Sequence, residues 1–286
     1  MLDSLSEYNT NDRLQGGMRY KALTLLEHLM SAKFFCERFP FGLAGLQLAR
    51  YIDWVDDYVD LRPNEGEIDF EKDRIRKIGF VDRQISLIDS FGRENPSDVI
   101  LTEGEKVLMN LPWQEMPGEV KDSAIKLLET IRDDAAHLGL NPRSEEVLRQ
   151  NFVTSMICIA QIVSLLSNGR EIVVTRGLEN LAYWWVLKDS LNDIREDLES
   201  GLIRLPLPDE IIIKLNQIRF EERLTEIKTY LTPERLNKMR RQTLDGMLSS
   251  LGSIWKVNVP FFQRFMVINY LLYIIGRNKV KIIKEV

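Results

Sequence analysis

With 286 residues, 44% hydrophobic and 28% charged, the chain has enough apolar residues for a core and is unlike disordered or low-complexity sequences. Its 38 basic and 43 acidic residues give a net charge of −5, so we expect no nucleic-acid partner. Two cysteines and two histidines argue against a disulfide scaffold, a Cys-rich zinc site and Ser-His-Asp hydrolysis, which leaves carboxylates as the main candidates for catalysis.

Helical periodicity runs along the chain, and no alternation typical of strands is present. In α-helical segments such as 69–91, apolar residues recur at helical spacing, for example at Ile75, Ile78, Val81, Ile85 and Ile88. Pro233 and Pro260 are expected in the first turns of their helices. We predict an all-α chain in a single domain over residues 1–286, with helices at 18–37, 43–60, 69–91, 102–111, 118–138, 144–167, 171–199, 209–230, 233–250 and 258–277.

The first residues are polar and acidic, without the apolar centre of a signal peptide. The uncharged stretch 150–169 has the length of a membrane span, but many of its residues are polar. A helix buried inside a helical domain explains this stretch better, and we expect a cytoplasmic protein.

The helix predicted at 43–60 carries four aspartates within a sector of about 100°. Ile52, Val55 and Val59 lie on the opposite face. Because like charges one turn apart repel, such a stripe destabilises the helix unless a cation neutralises it. The four residues are Asp53, Asp56, Asp57 and Asp60.

A second polar and acidic stripe lies on the helix predicted at 171–199. Its spacing is again i, i+4 and i, i+7, over about 140°. The preceding residues 181–187 are apolar and aromatic, so the same helix has a buried end. The stripe consists of Asp189, Asn192, Asp193, Glu196 and Asp197.

Either stripe alone is explained by a solvated helix face, with Lys188 and Arg195 pairing locally. Two stripes in an all-helical chain favour another interpretation, an oxygen-rich cleft for Mg²⁺ and a phosphate-bearing substrate. Ionisation of a carbon–oxygen bond there would require an apolar wall without water. Candidates for that wall, for each of which core packing is the alternative, are Phe34, Phe35, Trp54, Tyr183, Trp184 and Trp185.

Three segments together resemble the squalene and phytoene synthase family. DDYVD at 56–60 is similar to its first aspartate-rich motif, and DSLNDIREDLESGLIRLP at 189–206 is similar to its second, including Gly201, Leu205 and Pro206. SAKFF at 31–35 resembles the upstream S-x-S-F-Y motif. The resemblance implies the isoprenoid synthase fold with a central cavity, and condensation of two allylic prenyl diphosphates, of C15 or C20 length.

By this resemblance, the catalytic residues are Asp56, Asp60, Asp193 and Asp197. The expected Mg²⁺ ligands are Asp56, Asp57, Asp60, Asp189, Asp193 and Asp197. Residues expected to contact the diphosphate or the rest of the substrate are Ser31, Lys33, Phe34, Arg50, Asp53, Asp189, Asn192 and Arg277.

The chain departs from the family pattern at several of these positions. Asp53 stands where the family has arginine, and Asp189 and Asn192 replace the asparagine and arginine of the second motif. Lys33 replaces a serine, and 150–159 does not reproduce a further family segment. Three alternatives therefore remain open: head-to-head coupling, a diverged terpene cyclase or prenyl transferase, and a non-catalytic lipid-binding or assembly protein.

The C-terminal segment gives a separate indication. Residues 265–276 are uncharged, and Arg277, Lys279, Lys281 and Lys284 follow among apolar residues. This pattern is consistent with peripheral contact to an anionic membrane. A core helix with cations near its C-terminus is the alternative.

Overall fold

The computed structural model describes residues 41–60, 69–91, 101–102, 104–168 and 174–256. Throughout these ranges the regular elements are helices, which confirms the all-α prediction. A 3₁₀ helix spans Glu105–Asn110, and the α-helices are α1 (Gly42–Asp60), α2 (Phe70–Phe91), α3 (Gly118–Ala136), α4 (Glu145–Asn168), α5 (Arg176–Glu199), α6 (Asp209–Leu215), α7 (Phe220–Tyr230) and α8 (Pro233–Lys256). The helices predicted at 18–37 and 258–277 lie outside the described residues.

Most helix bounds agree with the prediction to within a few residues, and Pro233 begins α8 as expected. The single helix predicted at 209–230 is wrong, because α6 ends at Leu215 and α7 begins at Phe220. Arg223 explains the break. Its Nε donates to the backbone carbonyl oxygens of Leu215 at 2.7 Å and Ile218 at 3.1 Å, and so satisfies acceptors that a helix end exposes.

Contacts divide the chain into two compact units, with the boundary running through α4. Unit 1 comprises residues 1–138 and 158–172, and unit 2 comprises residues 139–157 and 173–286. The single domain predicted over 1–286 stays a prediction. Within the described ranges, no helix is both long and apolar enough to cross a membrane.

In unit 1, α2 packs mainly on α3, and α1 packs on α3 and the 3₁₀ helix. The α1 residues Leu48, Val55 and Val59 have no exposed surface. This apolar face therefore turns inward, as the sequence periodicity predicts. In α2 the pattern fails at Ile75, which is 63% exposed, because the helix buries Asp73 and Lys77 at neighbouring inward positions.

A buried polar network joins α1, α2 and the 3₁₀ helix. The carboxylate of Glu105 is fully buried and accepts from Arg83 Nε at 2.9 Å and Gln84 Nε2 at 3.0 Å. Tyr51 Oη donates to Gln84 Oε1 at 2.5 Å. Thr102 N–H donates to Glu105 Oε2 at 2.8 Å and Glu105 N–H donates to Thr102 Oγ1 at 3.4 Å, a reciprocal pair of the capping-box type just before the 3₁₀ helix.

In unit 2, α5 packs closely along α8. Gly246 makes this approach possible, because a Cβ atom there would lie 2.2 Å from the Trp184 indole ring. Trp184 also makes an edge contact with Tyr183, with ring centroids 4.9 Å apart. Trp184 therefore has a packing role between the two helices.

The end of α5 is fixed by Gly201, which has a φ of 79°. Leu202 N–H donates to the carbonyl of Asp197 at 2.8 Å, and Gly201 N–H donates to that of Leu198 at 3.2 Å, the pattern of a Schellman motif. Gly201 O then accepts from Leu140 N at 2.7 Å. The glycine of the second motif thus has a structural reason in this chain, since it terminates the helix that carries the acids.

Arg223 ties the same region to the α6–α7 break. Besides Leu215 and Ile218, its guanidinium donates to Gly139 O at 3.1 Å and to Asn141 Oδ1 at 2.6 Å. One side chain therefore holds two separate turns of unit 2.

Candidate functional site

The first acidic stripe lies on the solvent-facing side of α1, opposite its buried apolar face. Asp57 is exposed, while Asp53, Asp56 and Asp60 are partly buried. Their hard oxygen donors suit Mg²⁺, which is coordinated by few carboxylates and several waters. The donor chemistry of α1 therefore fits the predicted metal.

Aromatic side chains pack beside this stripe. The Trp54 ring lies 5.8 Å from that of Tyr51 and 5.4 Å from that of Phe80. A Cβ atom on Gly104 would lie 2.8 Å from the Trp54 indole, so the indole sits directly on that backbone. Tyr58 and Phe80 are also in contact, with centroids 4.0 Å apart. These contacts give Trp54 a packing role between α1 and α2.

A buried ammonium group lies close to the end of the stripe. Lys77 has no exposed surface, and its Nζ lies 3.0 Å from Asp73 Oδ2. Burial lowers the pKa of Lys77, while attraction to Asp73 and to Asp60 works against that shift. Arg76 also bonds to Asp73 and lies over the Tyr58 ring at 5.8 Å, so two cations from α2 adjoin the last turn of α1.

Sequence reasoning missed Lys77 because it followed apolar residues only. The available signal is that Asp73, Lys77, Val81, Gln84 and Ile88 share one helical face. Two ionisable residues of opposite charge at i and i+4 on a face that is otherwise inward indicate a buried ion pair.

The second stripe, on α5, is divided between exposed and buried positions. Asp189, Asn192, Asp193 and Glu196 are exposed, whereas Asp197 is only 5% exposed. Arg204, just beyond the helix, donates from NH1 to Asp197 Oδ1 at 3.0 Å, and only 12% of its side chain is exposed. Of the local pairs expected on this helix, Arg195 does pair with Glu199, at 3.1 Å.

The two stripes belong to different compact units, α1 to unit 1 and α5 to unit 2. Over the described ranges, no group of three or more His, Cys, Asp or Glu residues is arranged to hold a metal ion. The shared Mg²⁺ cluster of Asp56, Asp57, Asp60, Asp189, Asp193 and Asp197 therefore stays a prediction.

Other predicted residues fall into two groups. Arg50, on α1, is partly buried and lies on the same helix as the first stripe. Ser31, Lys33, Phe34 and Arg277 lie outside the described residues, as do Phe35 and the apolar and basic C-terminal segment.

Tyr183, one of the predicted wall residues, is 2% exposed and packs against Phe152, with centroids 6.2 Å apart. Its Oη donates to Glu145 Oε1 at 3.3 Å, and the Arg149 guanidinium lies 4.3 Å from its ring centroid. Burial, with Glu145 acting in the same direction, raises the pKa of Tyr183 to about 12. The phenol therefore stays protonated at neutral pH.

Comparison of the chain with family models, with curated proteins and with solved structures found no match in any of the three. Membership of the squalene and phytoene synthase family therefore rests on the three segments in the sequence, and stays a prediction.

Proposed function

We propose that the protein is a Mg²⁺-dependent prenyltransferase that acts on allylic prenyl diphosphates, C15 or C20 in length, and releases diphosphate. The observation that carries the proposal is the α1 stripe, in which carboxylates with the spacing of the first family motif face away from a fully buried apolar side. We also propose that the chain has the isoprenoid synthase fold.

In this proposal, Asp56, Asp57 and Asp60 of α1 and Asp189 and Asp193 of α5 would hold the metal. Bound Mg²⁺ supplies charge neutralisation for the diphosphate leaving group. The aspartates would hold the ion that binds that group, and Arg50 would add a cation on the same helix. Asp197 is a weaker candidate for a ligand than its motif position implies, because Arg204 already bonds to its carboxylate.

The product distinguishes the two enzymatic alternatives. Head-to-head coupling doubles the number of carbons, whereas cyclisation leaves it unchanged. Replacement of the motif asparagine and arginine by Asp189 and Asn192 removes groups suited to a second diphosphate and favours the diverged reaction. The apolar and basic segment at 265–284 is proposed to contact the membrane in which a terpenoid product would accumulate.

The test is diphosphate release from farnesyl and geranylgeranyl diphosphate, with and without Mg²⁺, followed by extraction and sizing of the product. We expect Mg²⁺-dependent release and a loss of at least about 100-fold in Asp56→Asn and in Asp193→Asn, as for removal of a metal ligand from the reacting site.

Matched controls are exposed acids outside the stripes, Asp122→Asn on α3 and Asp245→Asn on α8, which should retain turnover. Normal turnover in the two motif variants would refute the metal assignment. Failure of the folded chain to release diphosphate from either substrate would refute the enzymatic proposal.

One observation favours a second candidate function, a non-catalytic lipid-binding or assembly protein. The last acid of the second motif, Asp197, is buried in an ion pair with Arg204 and so contributes to the end of α5. In a protein that keeps these helices for structure alone, prenyl diphosphate would bind without being consumed, and binding would not depend on Asp56.

A further inference from the structure

A cleft of about 360 Å³ lies in unit 2, between the first halves of α4 and α5. Its position is separate from the acidic stripes. Its walls combine two arginines, two glutamates, two amides and one apolar side chain, which are Arg149, Arg176, Glu146, Glu179, Gln150, Asn180 and Val153. The volume is within the range of small-molecule sites.

Arg149 is the best-positioned group in this cleft. Its NH2 donates to Asn180 Oδ1 at 2.7 Å, and its guanidinium carbon lies 4.3 Å from the Tyr183 ring centroid. Tyr183 is itself fixed by burial and by its bond to Glu145. A guanidinium has five N–H donors, so these two anchors hold the plane in place and leave donors for an anionic oxygen.

Two contacts give the register of the two helices. Glu145 bonds to Tyr183 and Arg149 bonds to Asn180, so residue numbers rise along α4 while they fall along α5. The helices are therefore antiparallel here. Glu146 lies about 5 Å from Arg149 along the α4 axis, and the level of Arg176 is about 6 Å further on.

The charges of the cleft are consequently arranged along its length, with Glu146 at one end, Arg149 and Glu179 at nearly the same level in the middle, and Arg176 at the other end. The side chains of Glu146, Arg149, Arg176 and Glu179 are all described, and no ion pair joins any two of them. Their charges are thus not neutralised by one another, and a ligand with a positive and a negative end would complement both.

We propose that this cleft binds a small zwitterion whose charged ends lie about 5–10 Å apart, such as a short peptide with a free amino and a free carboxyl terminus. Arg149 and Arg176 hold its carboxylate, Glu146 holds its ammonium group, and Gln150 and Asn180 bond to the peptide groups between them. This binding does not depend on prenyl diphosphate chemistry.

The test is isothermal titration of the full-length chain with trialanine and with two matched probes. N-acetyl-trialanine lacks the ammonium group, and trialanine amide lacks the carboxylate. We expect saturable binding of trialanine and a decrease of about tenfold or more in affinity for each blocked peptide, the amount by which a lost charge-assisted bond weakens binding.

The variants probe the same contacts from the protein side. Arg149→Gln should weaken trialanine binding by about tenfold or more. Arg149→Lys keeps the charge without the planar guanidinium, so its affinity for trialanine should lie between those of Arg149→Gln and the unmodified chain. Arg195→Gln is the matched control, since Arg195 lies on α5 and is 88% exposed. It should bind normally.

Absence of saturable trialanine binding to the folded chain at millimolar concentrations would overturn the proposal. So would equal affinity for the acetylated peptide, which would mean a site for anions only, or normal binding by Arg149→Gln. The blocked peptides are tested on the unmodified chain, so the proposal stays testable if a variant does not fold.

Discussion

The acidic helices α1 and α5 carry carboxylates at the same helical spacing, but they use them differently. In α1, the buried positions are mainly apolar, Asp57 is exposed, and the other three aspartates are partly buried. In α5, the last aspartate turns inward and bonds to Arg204, next to the Schellman motif that ends the helix. A shared motif spacing therefore does not give its acids a shared role, since the acids of α1 lie opposite its buried apolar face and Asp197 is buried against Arg204 at the end of α5.

The largest expected effect tests the difference between the aspartates of α1 and α5. Asp197→Asn removes the carboxylate that bonds to the largely buried Arg204, and removing one partner of such a pair costs about 3 kcal/mol of unfolding free energy. The matched change Asp57→Asn, at an exposed position of α1, should cost less than about 1 kcal/mol. Urea unfolding measures both, and equal losses would contradict the structural role assigned to Asp197.

The second prediction concerns the support of α1 in unit 1. Glu105→Gln keeps the shape of the side chain but removes the charge that bonds Arg83, Gln84 and the Thr102 N–H. We expect a loss of about 2 kcal/mol, the range for hydrogen bonds to a charged group. Glu119→Gln, at an exposed position of α3, is the control, and the comparison is again made by urea unfolding.

The third prediction compares two glycines of α8. Gly246→Ala places a methyl group against the Trp184 ring and should destabilise unit 2 by about 1–3 kcal/mol. Gly252→Ala has nothing within 4 Å and should stabilise by about 0.5–1 kcal/mol, because alanine is the better helix former. Thermal unfolding should therefore shift in opposite directions, and a shift in the same direction would contradict the close approach of α5 and α8.

The smallest expected effect is on pH dependence. Burial alone would raise the pKa of Glu105, but its bonds to Arg83, the Thr102 N–H and Gln84 outweigh burial and lower it. A carboxyl group with a lowered pKa in the folded state stabilises the protein at pH values above its ordinary pKa of 4.5. This stabilisation disappears as the pH falls through the lowered pKa. On acidification, the unfolding free energy of Glu105→Gln should therefore fall less steeply than that of the unmodified chain. We expect the two decreases to differ by about 1 kcal/mol or less over this acidic range.

Periodicity is sufficient to predict most of the described helices and the inward face of α1, because Leu48, Val55 and Val59 recur at helical spacing. The helix end predicted at residue 199 also agrees with the end of α5, and Gly201 follows it in the left-handed conformation that glycine favours. In each case the signal is local, within a few residues along the chain.

The features that sequence reasoning missed depend on distant partners. The break between α6 and α7 requires Arg223 to reach the carbonyls of Leu215 and Ile218, and the role of Gly246 requires Trp184 from another helix. The pairing of Asp197 with Arg204 is closer in sequence, but it depends on the turn at Gly201 bringing the arginine back. The periodicity of the sequence does not predict any of these contacts.

The four acceptors of Arg223 have a consequence for how unit 2 opens. Because one guanidinium bonds to both the 139–141 turn and the 215–218 turn, displacement of that side chain releases both turns at once. These two stretches should therefore fluctuate as a single cooperative group, with amide hydrogens that exchange with solvent on a common timescale, although about 75 residues separate them along the chain.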